Sequence, residues 1–153
     1  MTTRLSAIRS AVPDVLASAT LTVETGGVGF TDITAEAARF LKQCGAGEGV
    51  LLLYLRHTSA SLVIQENADP DVRTDLLTAL RRLAPDDGPW VHTVEGPDDM
   101  PAHIKTMLTG VSPHVPVHGG AMALGTWQGI YLCEHRARPH RREVTLTFVG
   151  SKA

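Results

Sequence analysis

Histidine is the residue type whose number and placement in this chain most directly suggest chemistry. The chain has seven histidines, and this side chain titrates near neutral pH and readily binds metal ions. His57 stands directly before Thr58, Ser59 and Ala60, at the end of an apolar run. Hydroxyl groups beside a histidine could hold an anion while the imidazole transfers a proton. The alternative is a polar strand end whose groups satisfy one another.

An acidic and amide-rich segment follows at residues 65–71. Glu66, Asn67 and Asp69 lie close together, just before Pro70. Oxygen donors of this kind could hold Mg²⁺ or Ca²⁺, although the glycine and the terminal glutamate of an EF-hand loop are missing. The same residues could instead only cap the helix that begins near Pro70.

Two further segments carry side chains suited to a site. Asp99 and His103 are four residues apart, so a helix would place them on one face, where a carboxylate can orient an imidazole. Between Gly125 and Gly129 stand Thr126, Trp127 and Gln128, which offer a flat wall and directional hydrogen bonds, as in many small-molecule pockets. The alternatives are a structural histidine and a core tryptophan.

Strands and helices are both predicted to position these residues. Helical spacing predicts a helix after Asp32 or Thr34 and another over residues 70–83, and Met100–Leu108 reads as a third, short one. The solid apolar run Val50–Leu55 is typical of a central strand that is buried on both faces. The other predicted strands are Leu16–Val23, Ser61–Gln65, Val115–Val117, Ala121–Leu124, Trp127–Cys133 and Glu143–Val149. Strands therefore dominate the last third, which indicates an α+β fold and not a regular βαβ alternation.

Length and composition limit the class of protein. The chain has 153 residues, 43% of them hydrophobic and 20% charged, which fits one globular domain over 1–153. A net charge of −2 and only 5% aromatic residues argue against a nucleic-acid partner. Two cysteines cannot form a disulfide framework. No stretch resembles a signal peptide or a membrane helix, so a cytoplasmic protein with no membrane partner is expected.

Taken together, the four segments resemble the YjbQ (UPF0047) family. The resemblance rests on the ordered motifs 57–60, 66–70, 98–105 and 125–130 and on the tail Glu134-His135-Arg136, and it spans about residues 16–150. It implies a single compact α+β domain with a sandwich-like β-sheet core, two or three helices and assembly as a homotrimer. Where the family often has a hydrophobic or acidic residue, this chain has His118, which is therefore not taken as a site residue.

The resemblance also implies a weak, secondary thiamine-phosphate synthase activity, in which a pyrimidine-methyl diphosphate joins a thiazole phosphate. The family's principal role is not established. The residues carried over as catalytic are His57, Glu66, Asp69 and His103. Those expected to bind the substrate are Ser59, Asn67, Asp75, Asp98, Asp99, Thr126, Trp127, Gln128 and Arg142. A protonated His57 or His103, or a cation held by Glu66 and Asp69, would neutralise the leaving diphosphate.

Two other functions remain open from the sequence. One is metal-assisted hydrolysis with His57, His103 and His135 as ligands, so that the cofactor would be a divalent ion such as Mg²⁺ or Zn²⁺. The other is a non-catalytic trimeric binder of a small phosphorylated metabolite. The remaining histidines are predicted to be surface or loop residues: His92, His114, His118 and His140.

Overall fold

The computed structural model describes residues 2–153 and contains three helices and eight strands in that range. The helices are α1 (Thr34–Gln43), α2 (Pro70–Leu83) and α3 (Asp99–Thr109). The strands are β1 (Val15–Thr25), β2 (Gly29–Asp32), β3 (Ala46–Leu55), β4 (Ala60–Glu66), β5 (His114–His118), β6 (Ala121–Met122), β7 (Gln128–Glu134) and β8 (His140–Lys152).

The strands form two antiparallel sheets. The large sheet has the order β1-β8-β3-β5-β6, and the small sheet has the order β2-β7-β4. The small sheet brings distant segments together, because β4 and β7 pair from Ala60 opposite Glu134 to Glu66 opposite Gln128. The predicted α+β class with a sheet core is confirmed, and the number of helices is three.

One apolar core lies between the inner faces of the two sheets. The large sheet contributes Leu51, Leu53 and Phe148, and the small sheet contributes Leu62 and Leu132, all of them at most 2% exposed. Burying side chains of this size stabilises the fold by about 1.5–3 kcal/mol each. The core therefore anchors β4, and its two ends carry His57, Ser59, Glu66, Asn67 and Asp69 among the predicted site residues.

The apolar run of β3 is not buried on both faces, contrary to the expectation from sequence. Leu51, Leu53 and Leu55 point into the core, whereas Leu52 and Tyr54 are 41% and 54% exposed. The reason is the antiparallel pairing of β3 with β8 and β5, because such a sheet can leave one face open. The large sheet therefore has an outer face with exposed apolar side chains.

The predicted helices are present, and a side chain accepts a hydrogen bond at the starts of α2 and α1, whereas α3 begins with no side-chain cap hydrogen bond. Asp69 accepts a hydrogen bond from the backbone N–H of Asp71 at 2.9 Å, and Pro70 begins α2. Asp32 does the same for the N–H of Thr34 at the start of α1. None of the α2 residues is fully buried, so this helix lies at the surface. None of the helices within residues 2–153 is long and apolar enough to cross a membrane.

Two strand predictions need correction. The short strand β2 was not predicted, because its sequence Gly-Phe-Thr-Asp lacks an apolar alternation, yet it pairs with β7 from Gly29 opposite Glu134. Strand β6 ends at Met122, two residues before the predicted Leu124.

Candidate functional site

Strand β4 separates the predicted site residues into two groups. One group lies at the end of β4 that begins with Ala60, and it contains His57, Ser59 and the residues around that turn. The other group lies at the opposite end and contains Glu66 and Asn67. Six residue steps at about 3.3 Å each place the two ends about 20 Å apart. Within one chain, a cation held by Glu66 and Asp69 therefore cannot also contact His57 or His103.

The group at the Ala60 end of β4 contains the strongest candidate site, which is a cluster of His92, Asp99 and His103. The Nε2 atom of His92 lies 2.8 Å from Asp99 Oδ2, and the Nε2 atom of His103 lies 3.3 Å from the same oxygen. One potential ligand atom from each residue lies within 4.8 Å of the other two. The Asp99 side chain is 5% exposed, but those of His92 and His103 are 45% and 32% exposed, so the cluster opens to solvent.

The surroundings of His103 fix which of its nitrogens carries a proton. Its Nδ1 lies 2.8 Å from the carbonyl oxygen of Thr58, which can only accept, so Nδ1 is the protonated nitrogen. In the neutral ring, Nε2 then carries a lone pair, and it points at the Asp99 carboxylate. A lone pair and an anion at this distance need a cation, which can be a second proton on the ring or a metal ion.

The spacing of the cluster suits a small divalent ion. Zinc bonds of about 2.1 Å in a tetrahedral site place neighbouring ligand atoms about 3.4 Å apart, close to the His103–Asp99 separation. The backbone bond to Nδ1 of His103 is the kind of outer contact that orients metal-binding histidines. His92 would move its proton to Nδ1 when its Nε2 binds the ion. The donor set therefore fits a transition metal ion.

Arg136 holds the two aspartates from the side opposite the histidines. Its guanidinium contacts Asp99 Oδ1 and donates to Asp98 Oδ2 at 3.1 Å and to the carbonyl of Glu95 at 2.8 Å. Burial alone would raise the pKa of Asp98, but hydrogen bonds from the Ala137 N–H and from Arg136 outweigh it and lower that pKa. Asp98 therefore stays ionised and serves to position Arg136.

Arg142, a predicted substrate-binding residue, is instead committed to the interior. It is 3% exposed, and its Nε and Nη2 atoms donate to both oxygens of Glu134 at 2.7 and 2.5 Å. Nη2 also donates to the carbonyl and the hydroxyl of Ser59. Burial would raise the pKa of Glu134, but the bonds from Arg142, the Arg136 N–H and Thr25 lower it. This ion pair braces the turn before β4, and neither Arg142 nor Ser59 is open to a ligand.

His57 lies at the same turn but has a separate partner. Its Nε2 accepts a hydrogen bond from the backbone N–H of Glu143 at 2.9 Å. Burial and the nearby positive charge of Arg142 lower the pKa of His57, so the ring is neutral at pH 7. It lines a groove of about 640 Å³ together with Arg56, Thr58 and Met107.

The structure does not bring His57, His103 and His135 together. His135 is 2% exposed, and its Nε2 lies 2.7 Å from the hydroxyl of Ser61 inside the fold. Burial lowers the pKa of His135 to about 4. Within residues 2–153, the only group of three histidine, cysteine or acidic side chains placed to hold a metal ion is His92, Asp99 and His103.

The group at the Glu66 end of β4 is organised by hydrogen bonds within local turns. Glu66 accepts hydrogen bonds from the N–H groups of Ala68 and Asp69, so the acidic segment largely caps α2. Asn67 donates to the carbonyls of Thr126 and Gln128 at 3.3 and 3.4 Å. Trp127 is 64% exposed and is not a core residue, and Asp75 lies on the exposed surface of α2.

Sequence reasoning missed His92 and Arg136. His92 was expected to be a surface or loop residue, and it does lie in the irregular segment between α2 and α3. No helical or strand period links it to Asp99, so its role depends on how that segment folds back. The acidic residues flanking it and the arginine-rich stretch 136–142 are the sequence features that could have indicated the pairing.

Comparison with known proteins agrees with this architecture. A family model described as "UPF0047 protein YjbQ-like" matches residues 19–151. The chain is 47% identical over 131 residues to UPF0047 protein sll1880 of Synechocystis, covering 85% of this chain and 89% of that protein. The chain belongs to the UPF0047 family.

Other members of the UPF0047 family support the same fold. The chain is 44% identical over 132 residues to YjbQ of Escherichia coli O157:H7, covering 86% of this chain and 96% of that protein. A solved yjbq/upf0047 structure from Clostridium acetobutylicum superposes with a TM-score of 0.80 at 36% identity, covering 85% of this chain and 98% of that one. The structure of the hypothetical protein APE1520 from Aeropyrum pernix superposes with a TM-score of 0.82 at 31% identity, covering 88% of this chain and 99% of that one.

Proposed function

We propose that this chain is a metal-dependent enzyme that hydrolyses a small phosphorylated molecule, with His92, Asp99 and His103 as the metal ligands. The observation that carries the proposal is the Nδ1 contact of His103 with the Thr58 carbonyl, because it takes up the Nδ1 proton and turns Nε2, the nitrogen that is free to bind a metal ion, toward a carboxylate. A divalent ion satisfies both groups at once, and the cluster is open to solvent.

Three protein ligands are typical of catalytic metal sites. Such sites keep a further coordination position for water or substrate, and the bound ion lowers the pKa of that water and polarises a phosphoryl oxygen. Arg136 keeps Asp99 in place through a direct ion pair. The Thr58 carbonyl fixes the orientation of His103. The chain thus supplies a pre-oriented ligand set, which is what a metal-assisted hydrolase requires.

The groove beside the cluster supports a small anionic substrate. Thr58 both lines the groove and contacts His103, so the groove and the cluster share one turn. Its volume of about 640 Å³ falls in the range of small-molecule sites. Arg56 and Thr58 line it, and the Arg56 guanidinium, which also contacts Glu143 at 3.4 Å, suits phosphate oxygens because charge-assisted hydrogen bonds favour phosphate groups.

Turnover measurements on metal-loaded protein test this proposal. We expect phosphate release from a panel of phosphorylated small molecules in the presence of Zn²⁺ or Mn²⁺, and at least a hundredfold loss in His92→Ala and His103→Ala. His114→Ala is the matched control, because His114 is an exposed histidine on β5. Equal turnover in all variants would refute the assignment. Metal binding without any turnover would favour a non-catalytic binder of a phosphorylated metabolite.

The thiamine-phosphate synthase reaction is a second candidate, and the same ligand set supports it. A divalent ion at the cluster would neutralise the diphosphate that leaves the pyrimidine methylene. Incubating the metal-loaded chain with the pyrimidine-methyl diphosphate and the thiazole phosphate tests it directly. Formation of thiamine phosphate that depends on His103 supports this reaction, and phosphate release alone supports hydrolysis.

We also propose that the chain assembles as a homotrimer. The outer face of the large sheet favours self-association, because Leu16, Leu52 and Tyr54 are exposed there and large exposed apolar patches often mark interfaces. Light scattering should give three times the chain mass of 16.4 kDa. Tyr54→Glu should dissociate the assembly, whereas Leu83→Glu, on the exposed surface of α2, should not. A monomeric wild-type chain would contradict the proposal.

A further inference from the structure

The segment that carries His92 is loosely attached to the rest of the chain. We call residues 85–95 the His92 loop, which lies between α2 and α3 and contains neither helix nor strand. Eight of its eleven residues are exposed, and none is buried. Val91 and Val94, on either side of His92, are 97% and 89% exposed. Apolar packing therefore does not hold this part of the loop in place.

Polar contacts hold the His92 loop at two points. Within residues 2–153, and apart from a turn bond with the residue that follows it, two hydrogen bonds join the loop to the rest of the chain. His92 Nε2 lies 2.8 Å from Asp99 Oδ2, and the carbonyl of Glu95 accepts a hydrogen bond from Arg136 at 2.8 Å. Arg136 itself contacts Asp99. The same two side chains, Asp99 and Arg136, thus organise the cluster and tie down the loop.

These two anchors alone hold the His92 loop weakly. The His92 side chain is 45% exposed and shares Asp99 Oδ2 with His103. A hydrogen bond that is open to water contributes little net free energy, whereas fixing the backbone costs conformational entropy at every residue of the loop. An ion bound by all three side chains changes this balance, because it binds His92 directly and binds fully only when the loop is closed.

We propose that the His92 loop is a metal-controlled latch, an inference that rests on the metal site proposed above. With an ion bound, His92 ligates it and the loop is ordered against α3. Without an ion, the loop opens and leaves only Asp99 and His103 as ligands. The coupling is reciprocal, so the ion orders the loop, and the order of the loop sets how tightly the ion is held. Opening of the latch is then the route by which the ion leaves.

Hydrogen–deuterium exchange of the full chain, followed by mass spectrometry, tests the latch. At about a hundredfold excess of Zn²⁺ over its Kd, amides in residues 85–95 should exchange at least about tenfold more slowly than without metal. The exposed residues 2–12 should exchange equally fast in both states. A chain that binds one Zn²⁺ but shows no slower exchange in the loop would overturn the latch and leave the metal site standing. A chain that binds no Zn²⁺ would overturn both.

Loosening the loop without changing a ligand supplies a second test. Pro89 is exposed in the His92 loop, and Pro89→Gly gives the open loop more conformational freedom. The Kd for Zn²⁺ and the rate of its release to a chelator should therefore each rise about 2–5-fold. Pro13→Gly is the matched control, because Pro13 is exposed and lies outside the loop, and it should leave both values unchanged. If Pro89→Gly binds and releases Zn²⁺ as the wild type does, the order of the loop does not control metal retention and the latch is wrong.

Discussion

Replacement of Arg142 by methionine should destabilise the chain strongly. Arg142 and Glu134 are 3% and 1% exposed, and the two oxygens of Glu134 accept hydrogen bonds from Arg142 at 2.7 and 2.5 Å. In Arg142→Met, the carboxylate keeps only the Arg136 N–H and the Thr25 hydroxyl. A buried anion would thus lose its counterion, and Ser59 would lose its donors as well.

The expected cost follows from the burial of the pair. Removing one partner of a buried ion pair costs about 3–5 kcal/mol, which lowers the melting temperature by about 6–20 °C in a chain of this size. Urea unfolding followed by circular dichroism measures the change. The control is Arg141→Met on the same strand, because the Arg141–Glu24 pair is exposed and 3.9 Å apart. Such surface pairs contribute about 0–1 kcal/mol.

A double variant separates loss of the pair from loss of packing. Glu134→Leu combined with Arg142→Met removes both charges, so it should recover much of the stability lost in Arg142→Met alone. Surface ion pairs contribute about 0–1 kcal/mol. If the free energy of unfolding of Arg142→Met differs from that of the wild type by no more than this, then Arg142 is not a structural ion-pair partner. It would then return as a candidate ligand-binding residue.

Three further predictions each concern a single residue. Burial lowers the pKa of His135 from 6.5 to about 4, so only the unfolded chain gains a proton as pH falls from 6.5 to 4. The free energy of unfolding should therefore fall by about 2 kcal/mol between pH 7 and pH 5. In His135→Gln, this fall should be absent. Burial raises the pKa of the Cys133 thiol to about 12, so a thiol reagent at pH 8 should label Cys44 alone in the folded chain; equal labelling of both would be inconsistent with the fold. Gly150→Ala should destabilise by about 1–3 kcal/mol, because its Cβ would overlap a backbone carbonyl of β3, whereas Gly29→Ala has open space; equal melting temperatures would refute this.

Most of the fold could be predicted from local patterns. The stripe of Ile33, Ala37 and Leu41 predicts α1, and Asp69-Pro70 predicts the start of α2; both are present. The burial of β3 was predicted wrongly, because an apolar run carries no information about which face the rest of the chain covers. Its exposed residues, Leu52 and Tyr54, are seen only once the antiparallel sheet is known.

The candidate site was harder to predict than the fold. Asp99 and His103 could be paired from their spacing along a helix, and the structure brings them together. Glu66 and His57 were expected in one site because the family resemblance carried both over as catalytic residues. An extended strand of seven residues instead carries the chain about 20 Å between them. His92 approaches Asp99 through an irregular segment that local patterns do not describe.

Metal binding by the His92–Asp99–His103 cluster tests the central claim most directly. The untagged chain, dialysed against Zn²⁺ and analysed by plasma mass spectrometry, should retain one ion per chain. His92→Ala and His103→Ala should lose that ion, while His57→Ala and His114→Ala should keep it. A wild-type chain that retains no metal, or a His103→Ala variant that retains a full equivalent, would contradict the assignment.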